Sequence, residues 1–254
     1  MSGFTALVLA GVRPGCDPVA AYAEVQHKGL IRLEGRSLLQ RVLGALEAAG
    51  ASRILVSTSC NAVAQALGGL GLSIPVERIA SAESPSLSVA QGAEAAGTPL
   101  LVTTVDHALL QAEWVRRFLA DAPADADLCA LIAPEATVEA ATPGVRRTWL
   151  KFRDGRYSAC NLFLLRTPDA LSAVRLWRTV EAYRKQPWRI AAIIGPGMLL
   201  GYALGLVSLD GAVRMLGRKA GMKAAAVRTP FGLAAVDVDK PADLDLVRRI
   251  VGEA

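Results

Sequence analysis

PLLVTTVDHALLQAEWVRRFL occupies residues 99–119. Its first seven residues form a strongly apolar, β-branched run, too short for a helix and bounded by Pro99 and Asp106, which reads as a strand. Glu113–Leu119 follows with apolar residues at helical spacing. A strand that passes through an acidic turn into a helix is the repeating unit of an α/β sheet.

The same rhythm extends in both directions. Upstream, residues 4–10 and Arg53–Ser57 are apolar strand runs, and residues 74–79 form a weaker one. Between them lie helical patterns over Ser37–Ala49, Asn61–Leu67 and Ser86–Ala96, the first with Ser37 as cap and Gly50 as stop. Downstream, Asp127–Ala133 is another strand. This order predicts an α/β fold: a mostly parallel, twisted sheet with helices on both faces. Beyond it the pattern loosens. Residues 147–152 and 155–165 read as strands. Thr167-Pro168-Asp169 opens a helix to about Arg184. Residues 224–228 and 233–238 read as strands, and Pro241–Val251 as a final helix capped by Asp239 or Lys240. With no repeats or linker, the chain is expected to form one domain over 1–254, with a helical insertion at 168–222.

Composition narrows the classes. Apolar residues make up 52% and aromatics only 5%, which suits a helix-covered sheet rather than a β-sandwich and speaks against nucleic-acid binding. Cys16, Cys60, Cys129 and Cys160 are far apart and show no metal-site spacing, so neither a zinc site nor a disulfide framework is expected and a reducing cytoplasm fits. The N-terminus enters an apolar strand without a basic leader. The net charge of +5 is uneven: Arg146–Arg189 holds eleven Lys/Arg against three acids, +8 for that segment and −3 for the rest. Residues 190–209 carry no charge at all. That run has the length of a membrane span, but Gly195-Pro196-Gly197, Gly201 and Gly205 interrupt it. It reads as a buried helical pair or as a peripheral membrane contact over 184–209, which would place a cytoplasmic protein at the inner face of the membrane.

Four groups of residues can carry chemistry. The loop after the first strand, with Ala10, Gly11 and Arg13, lets backbone N–H groups approach a phosphate, and Lys28 adds a second cation. It is neither GxGxxG nor GxxxxGK[ST]. Asp106 stands at the carboxyl end of its strand, where ligands of open parallel sheets gather; it can hold a hard cation such as magnesium or cap the next helix. Asp237 and Asp239 alternate, so that in an extended chain both face one side; Asp239 can equally cap the last helix. Asn161 is an amide inside an apolar strand and needs partners, from a substrate or from the core. Ser86 and Ser88 begin a helix, where they either bind a base or ribose or simply cap. His107 reads as structural.

Taken in order, LVLAG (7–11), HKGLIRLEGRSLLQRVLGALEAAGASRILV (27–56), SPSLSVAQGAE (84–94), the run at 100–119 and AAVDVDKPADLDLV (234–247) resemble the MobA-like nucleotidyltransferases of the GT-A-type fold. The resemblance implies that Ala10, Gly11 and Arg13 form the nucleotide loop and Lys28 the lysine of its KP-like motif. It implies that Asp106, with Asp237 and Asp239, holds Mg2+ or Mn2+, and that Ser86 and Ser88 sit at the nucleotide; Asn161, on its own context alone, is a candidate for binding the acceptor or a metal-bound water. The motifs depart from the family's in three places: LAGVRPG for the glycine loop, Lys28-Gly29 for the KP pair, and Asp106-His107-Ala108 for D-x-P. The implied reaction moves a nucleoside monophosphate from CTP or GTP to a phosphorylated acceptor, such as a lipid-linked or alcohol phosphate, with release of pyrophosphate. A GT-A-type glycosyltransferase and a noncatalytic, membrane-associated nucleotide-binding protein are the alternatives.

Overall fold

The structure, a computed structural model, describes residues 3–12, 17–145, 147–183, 186, 189, 192 and 195–253. The chain divides into two compact units, Met1–Ala120 with Val236–Ala254, and Asp121–Ala235.

The first unit is built on parallel strands. β1 (Phe4–Leu9) is followed by helix α1 (Pro18–Tyr22), a short antiparallel pair β2 (Arg32–Leu33) and β3 (Arg36–Ser37), and helix α2 (Leu38–Ala48). Then come β4 (Ala51–Ser57), α3 (Asn61–Leu67), β5 (Val76–Ile79), α4 (Pro85–Ala96), β6 (Leu100–Thr104) and α5 (Ala112–Asp121). β1 pairs in parallel with both β4 and β6, with Leu7 opposite Leu55 and Val102, and β4 pairs in parallel with β5. Successive residues Ala6-Leu7-Val8, Ile54-Leu55-Val56 and Leu100-Leu101-Val102 are all buried. Side chains alternate across a strand, so unbroken burial means that both faces are covered.

Local chemistry sets the helix ends. Ser37 Oγ accepts from Gln40 N at 3.1 Å while Gln40 Oε1 accepts from Ser37 N at 2.9 Å, closing a capping box. From there Leu38, Leu39, Val42, Leu43 and Leu46 turn inward at helical spacing. α4 starts one residue before the sequence pattern suggests. Ser84 is its cap and Pro85 its first residue, which leaves Ser86 and Ser88 inside the first turn. Further along α4, a Cβ on Gly92 would lie 2.4 Å from Leu7 Cδ2, so the bare backbone of this residue is what lets the helix lie on β1.

In the second unit, β7 (Leu128–Pro134) leads into α6 (Glu135–Ala141), and β8 (Leu150–Phe152) forms a hairpin with β9 (Gly155–Leu165). A 3-10 turn, Pro168–Ala170, precedes α7 (Leu171–Ala182), α8 (Pro196–Ala203), α9 (Leu209–Ala220) and β10 (Ala224–Arg228). β7 is antiparallel to β9 and parallel to β10. Between 168 and 222 the regular elements among the described residues are all helical.

Three local expectations change. Thr167 does not cap with its side chain; its hydroxyl donates to Asp127 Oδ1 at 2.6 Å, and the other Asp127 oxygen accepts from Lys223 N at 2.8 Å. The helix it precedes ends at Ala182, and Arg184 lies outside the described residues. No strand forms over 233–238. Gly232–Ala235 is a 3-10 turn instead, because Gly232 packs against α6 so tightly that a Cβ would meet Thr137 O at 2.1 Å. In the first unit, residues 236–239 then continue without a ladder, and Pro241–Val251 forms the terminal helix.

Candidate active site

Parallel strands of one sheet present their carboxyl ends at one edge, where ligands collect. β6 ends at Thr104, and Val105 N still bonds to Leu9 O of β1 at 3.0 Å. The chain then turns sharply, with Ala108 N donating to Asp106 O at 2.8 Å. The same Asp106 carbonyl accepts from Val238 N at 3.0 Å. That bond draws the 236–239 segment to the end of β6. Val236 and Val238 are buried, Asp237 is half-buried and Asp239 is exposed, so the two aspartates alternate with the buried valines.

Lys28 opens the 3-10 turn Lys28–Leu30. Its ammonium donates to Asp106 Oδ2 in a short contact and lies 3.3 Å from Asp239 Oδ1 and 3.5 Å from Val238 O. The side chains of Lys28 and Asp106 are only 15% and 10% exposed, whereas that of Asp239 is 51% exposed. Burial pushes the Asp106 carboxyl upward, but the adjacent Lys28 ammonium, its hydrogen bond and a weaker pull from the Thr104 hydroxyl hold it below the ordinary carboxylate range. Burial also depresses Lys28, and Asp106 with Asp239 more than restores it, leaving the ammonium above its usual value. The result is a buried ion pair open on one side to a hydrated carboxylate. Asp106 Oδ1 is itself buried with no hydrogen-bond partner within bonding geometry.

Asp106 therefore does not serve as a helix cap, and neither does the Asp239 carboxylate. The backbone N–H groups of Asp239 and Lys240 donate to Asp243 Oδ2 at 3.1 and 2.9 Å, so Asp243 closes the start of the terminal helix. Among the described residues no three His, Cys, Asp or Glu side chains converge as an all-protein metal cage. The arrangement is two carboxylates joined through a lysine, with Asp237 two residues before the second.

The loop after β1 starts from Ala10, whose N–H donates to Ser57 O at 2.9 Å. Gly11 is exposed, and a Cβ there would sit 3.5 Å from Ser81 Cβ. Ser81 Oγ donates to Ser59 Oγ at 2.8 Å, so hydroxyls from the segments after β4 and β5 line the rim beside Gly11. Arg13 lies outside the described residues. Ser86 and Ser88 are buried, and Ser88 Oγ accepts from Ala82 N at 3.0 Å while Ser86 Oγ is 2.9 Å from Ser84 Oγ. Both hydroxyls therefore hold the loop that enters α4.

In the second unit, Asn161 has φ +44°. Opposite it the β7 register jumps, from Ala130 paired with Phe163 to Ile132 paired with Ala159. Asn161 is thus the left-handed residue of a β-bulge rather than a regular strand position. Asn tolerates that conformation better than other side chains, and bulges re-aim a side chain.

His27 was not among the expected site residues. It is 3% exposed, and its Nδ1 accepts from Gly29 N at 2.9 Å, capping the turn that carries Lys28. An accepting Nδ1 places the proton of the neutral ring on Nε2, and the ring is also hydrogen-bonded to the Gly11 backbone. Burial keeps the imidazole below its ordinary pKa. His27 thereby ties the β1 loop to the lysine turn. The available signal was Gly29 itself: a residue with a free N–H stands beside Lys28 where the family motif has proline. A Cβ on Gly29 would also meet Val105 Cγ2 at 2.8 Å. His107 is fully buried, with Nδ1 3.4 Å from Thr103 Oγ1 and its ring 6.2 Å from Trp114, a structural placement.

A hypothetical transferase from Thermus thermophilus is 32% identical, with a TM-score of 0.81, over 95% of this chain and 99% of that one. A nucleotidyl transferase from Methanothermobacter thermautotroptrophicus is 19% identical, with a TM-score of 0.57, over 98% and 97%. A CMP:2-keto-3-deoxy-manno-octonic acid synthetase complexed with CTP is 18% identical, with a TM-score of 0.57, over 99% of each chain. The last two share the fold, the mixed, mostly parallel α/β architecture of GT-A-like nucleotidyltransferases. No curated protein matches the sequence. The model of the MobA-like NTP transferase domain matches residues 22–186, a span that includes Lys28 and Asp106. This chain, a transferase, belongs to the family of MobA-like NTP transferase domains.

Proposed function

We propose that the protein transfers a nucleoside monophosphate from CTP or GTP to a phosphorylated acceptor and releases pyrophosphate. The observation that carries this reading is the Lys28 ammonium held between Asp106 and Asp239 at the carboxyl edge of the parallel strands.

An acceptor phosphate oxygen, already ionised at neutral pH, attacks the α-phosphorus. The new P–O bond forms as the bond to the β-phosphate oxygen breaks, and pyrophosphate carries off the electron pair. No side-chain nucleophile is needed, so positioning and electrostatics supply the rate. Lys28 turns from the carboxylates to the β- and γ-phosphates, and the exposed backbone at Ala10 and Gly11 receives the triphosphate. Arg13 adds charge to that loop. Ser86 and Ser88 act from behind by fixing the loop before α4.

A divalent cation fits this donor set. Asp106 offers a buried, unpartnered oxygen, and Asp239 a hydrated carboxylate with Asp237 beside it. Mg2+ favours one or two carboxylates plus water and phosphate oxygens over a protein cage. Bound there, Mg2+ or Mn2+ would supply Lewis-acid stabilisation of phosphate charge.

The test is a pyrophosphate-release screen with CTP, GTP, UTP and ATP against phosphorylated sugars, alcohols and prenols. Wild type should turn over with CTP or GTP, and Asp106→Ala should lose about 100- to 1,000-fold in kcat while keeping its circular dichroism spectrum. Full activity in folded Asp106→Ala would remove the assignment. Release of a nucleoside diphosphate from a nucleotide sugar would make the protein a glycosyltransferase instead.

A further inference from the structure

Apolar side chains normally leave the surface, yet a short stretch of the second unit turns several outward together. Leu200, Leu204 and Leu206 are each 62% exposed, and Tyr202 is 38% exposed. Single exposed leucines are ordinary; four large apolar side chains within seven residues are not. The stretch is held in place. Leu204 N bonds to Leu200 O at 2.9 Å and Leu206 N to Gly201 O at 2.8 Å. Tyr202 stacks edge-on against Phe152 at 5.5 Å, and its hydroxyl accepts from Lys151 N at 3.2 Å. Arg153 N donates to Val207 O at 2.8 Å. The leucines therefore share one surface with the β8–β9 hairpin, which adds exposed Leu150, Lys151 and Arg153.

The acids close to this surface are largely paired. Asp154 and Asp210 share Arg228, which leaves one net negative charge, and Glu135 pairs with Arg156 at 2.8 Å. Lys151 and Arg153 form no salt bridge among the described residues. Lys219 brings a third cation beside the start of α8, with Nζ 3.9 Å from the Cβ position of Gly195.

We propose that this apolar cluster, bordered by Lys151, Arg153 and Lys219, docks on an anionic lipid bilayer. Leu200, Leu204 and Leu206 enter the headgroup boundary, and the cations meet lipid phosphates. Charge selects this occupant. A second copy related by twofold symmetry would bring the same cations face to face, whereas a bilayer surface offers apolar depth beneath negative charge. Among the described residues no helix is long and apolar enough to cross a membrane, so α8 lies in the interface plane. The inference goes beyond the transfer reaction and holds whichever acceptor is used.

Flotation of the full-length protein with phosphatidylcholine vesicles, with and without phosphatidylglycerol, tests it. The protein should float with the anionic vesicles only, and high salt should release it. Lys151→Gln and Arg153→Gln should each weaken partitioning about fivefold. The pair Leu204→Ser/Leu206→Ser should weaken it by at least about 100-fold while leaving thermal unfolding and nucleotide turnover as in wild type. Equal binding to neutral vesicles, or no flotation at low salt, would overturn the proposal. So would a wild-type dimer that the serine pair converts to monomer, which would make this face a self-interface. Turnover is read separately, so vesicle binding can fail without touching the assignment of the chemistry, and the reverse.

Discussion

A buried lysine and aspartate 10–15% exposed raise the question of whether they serve the fold or the reaction. Two charges withdrawn from water are costly, and their attraction roughly offsets that cost; removing one partner strands the other. Lys28→Met should therefore destabilise the protein by about 3–5 kcal/mol, because it strands the buried Asp106 carboxylate and leaves Asp239, itself an anion, only to repel it. The double variant Lys28→Met/Asp106→Asn should recover most of that loss and still show no turnover. Urea unfolding beside a pyrophosphate assay checks both. A double variant as unstable as the single one would mean that the pair serves the fold, and retained turnover would mean that neither residue serves the chemistry.

The loop after β1 and the turn Lys28–Leu30 are separate elements held together by one imidazole. His27 accepts from Gly29 N and bonds to the Gly11 backbone, and burial holds it neutral. Its folded pKa lies below the unfolded value of about 6.5. Its contribution is therefore complete above about pH 6.5 and is lost as pH falls from there through the folded value, because the unfolded chain gains the proton first. Urea midpoints should drop between pH 7.5 and 5.5 in wild type, and the slope should be shallower in His27→Gln. An unchanged slope would show that the ring does not titrate with unfolding. Capping follows the same logic of neighbouring backbone groups: Ser37 and Gln40 close α2, and Asp243 closes the terminal helix. In both cases a polar side chain satisfies N–H groups that the helix itself leaves open.

At the scale of the whole molecule, substrate binding and stability are linked. A nucleotide that binds only the folded state at 100 times its Kd adds about 2.7 kcal/mol, which for a protein of this size is a rise in Tm of roughly 5–10 °C. CTP or GTP with Mg2+ should give that shift, and Asp106→Ala should reduce it. No shift with any of four nucleotides would leave the nucleotide site without support. The pI of about 9.2 belongs to the same scale: a positive molecule draws polyphosphates, so the shift should shrink as salt is raised.

Much of this was legible from residues close together in sequence. Apolar runs bounded by turn residues marked β1, β4 and β6, helical spacing marked α2 and the terminal helix, and Asp106 stood visibly at a strand end. These features depend on neighbours one to four positions away, and periodicity records which face of an element is buried. It does not record what covers that face. Lys28 meets Asp106 across 78 positions and Asp239 across 211. Ser86 and Ser88 turn inward because Ser84 takes the cap, Asn161 leaves the strand at a register jump, and residues 232–235 coil because a helix lies against Gly232. Residues 200–206 read either as a buried helical pair or as a surface contact, and their large side chains face outward, because burial requires a partner surface and only the tertiary structure decides whether one is there.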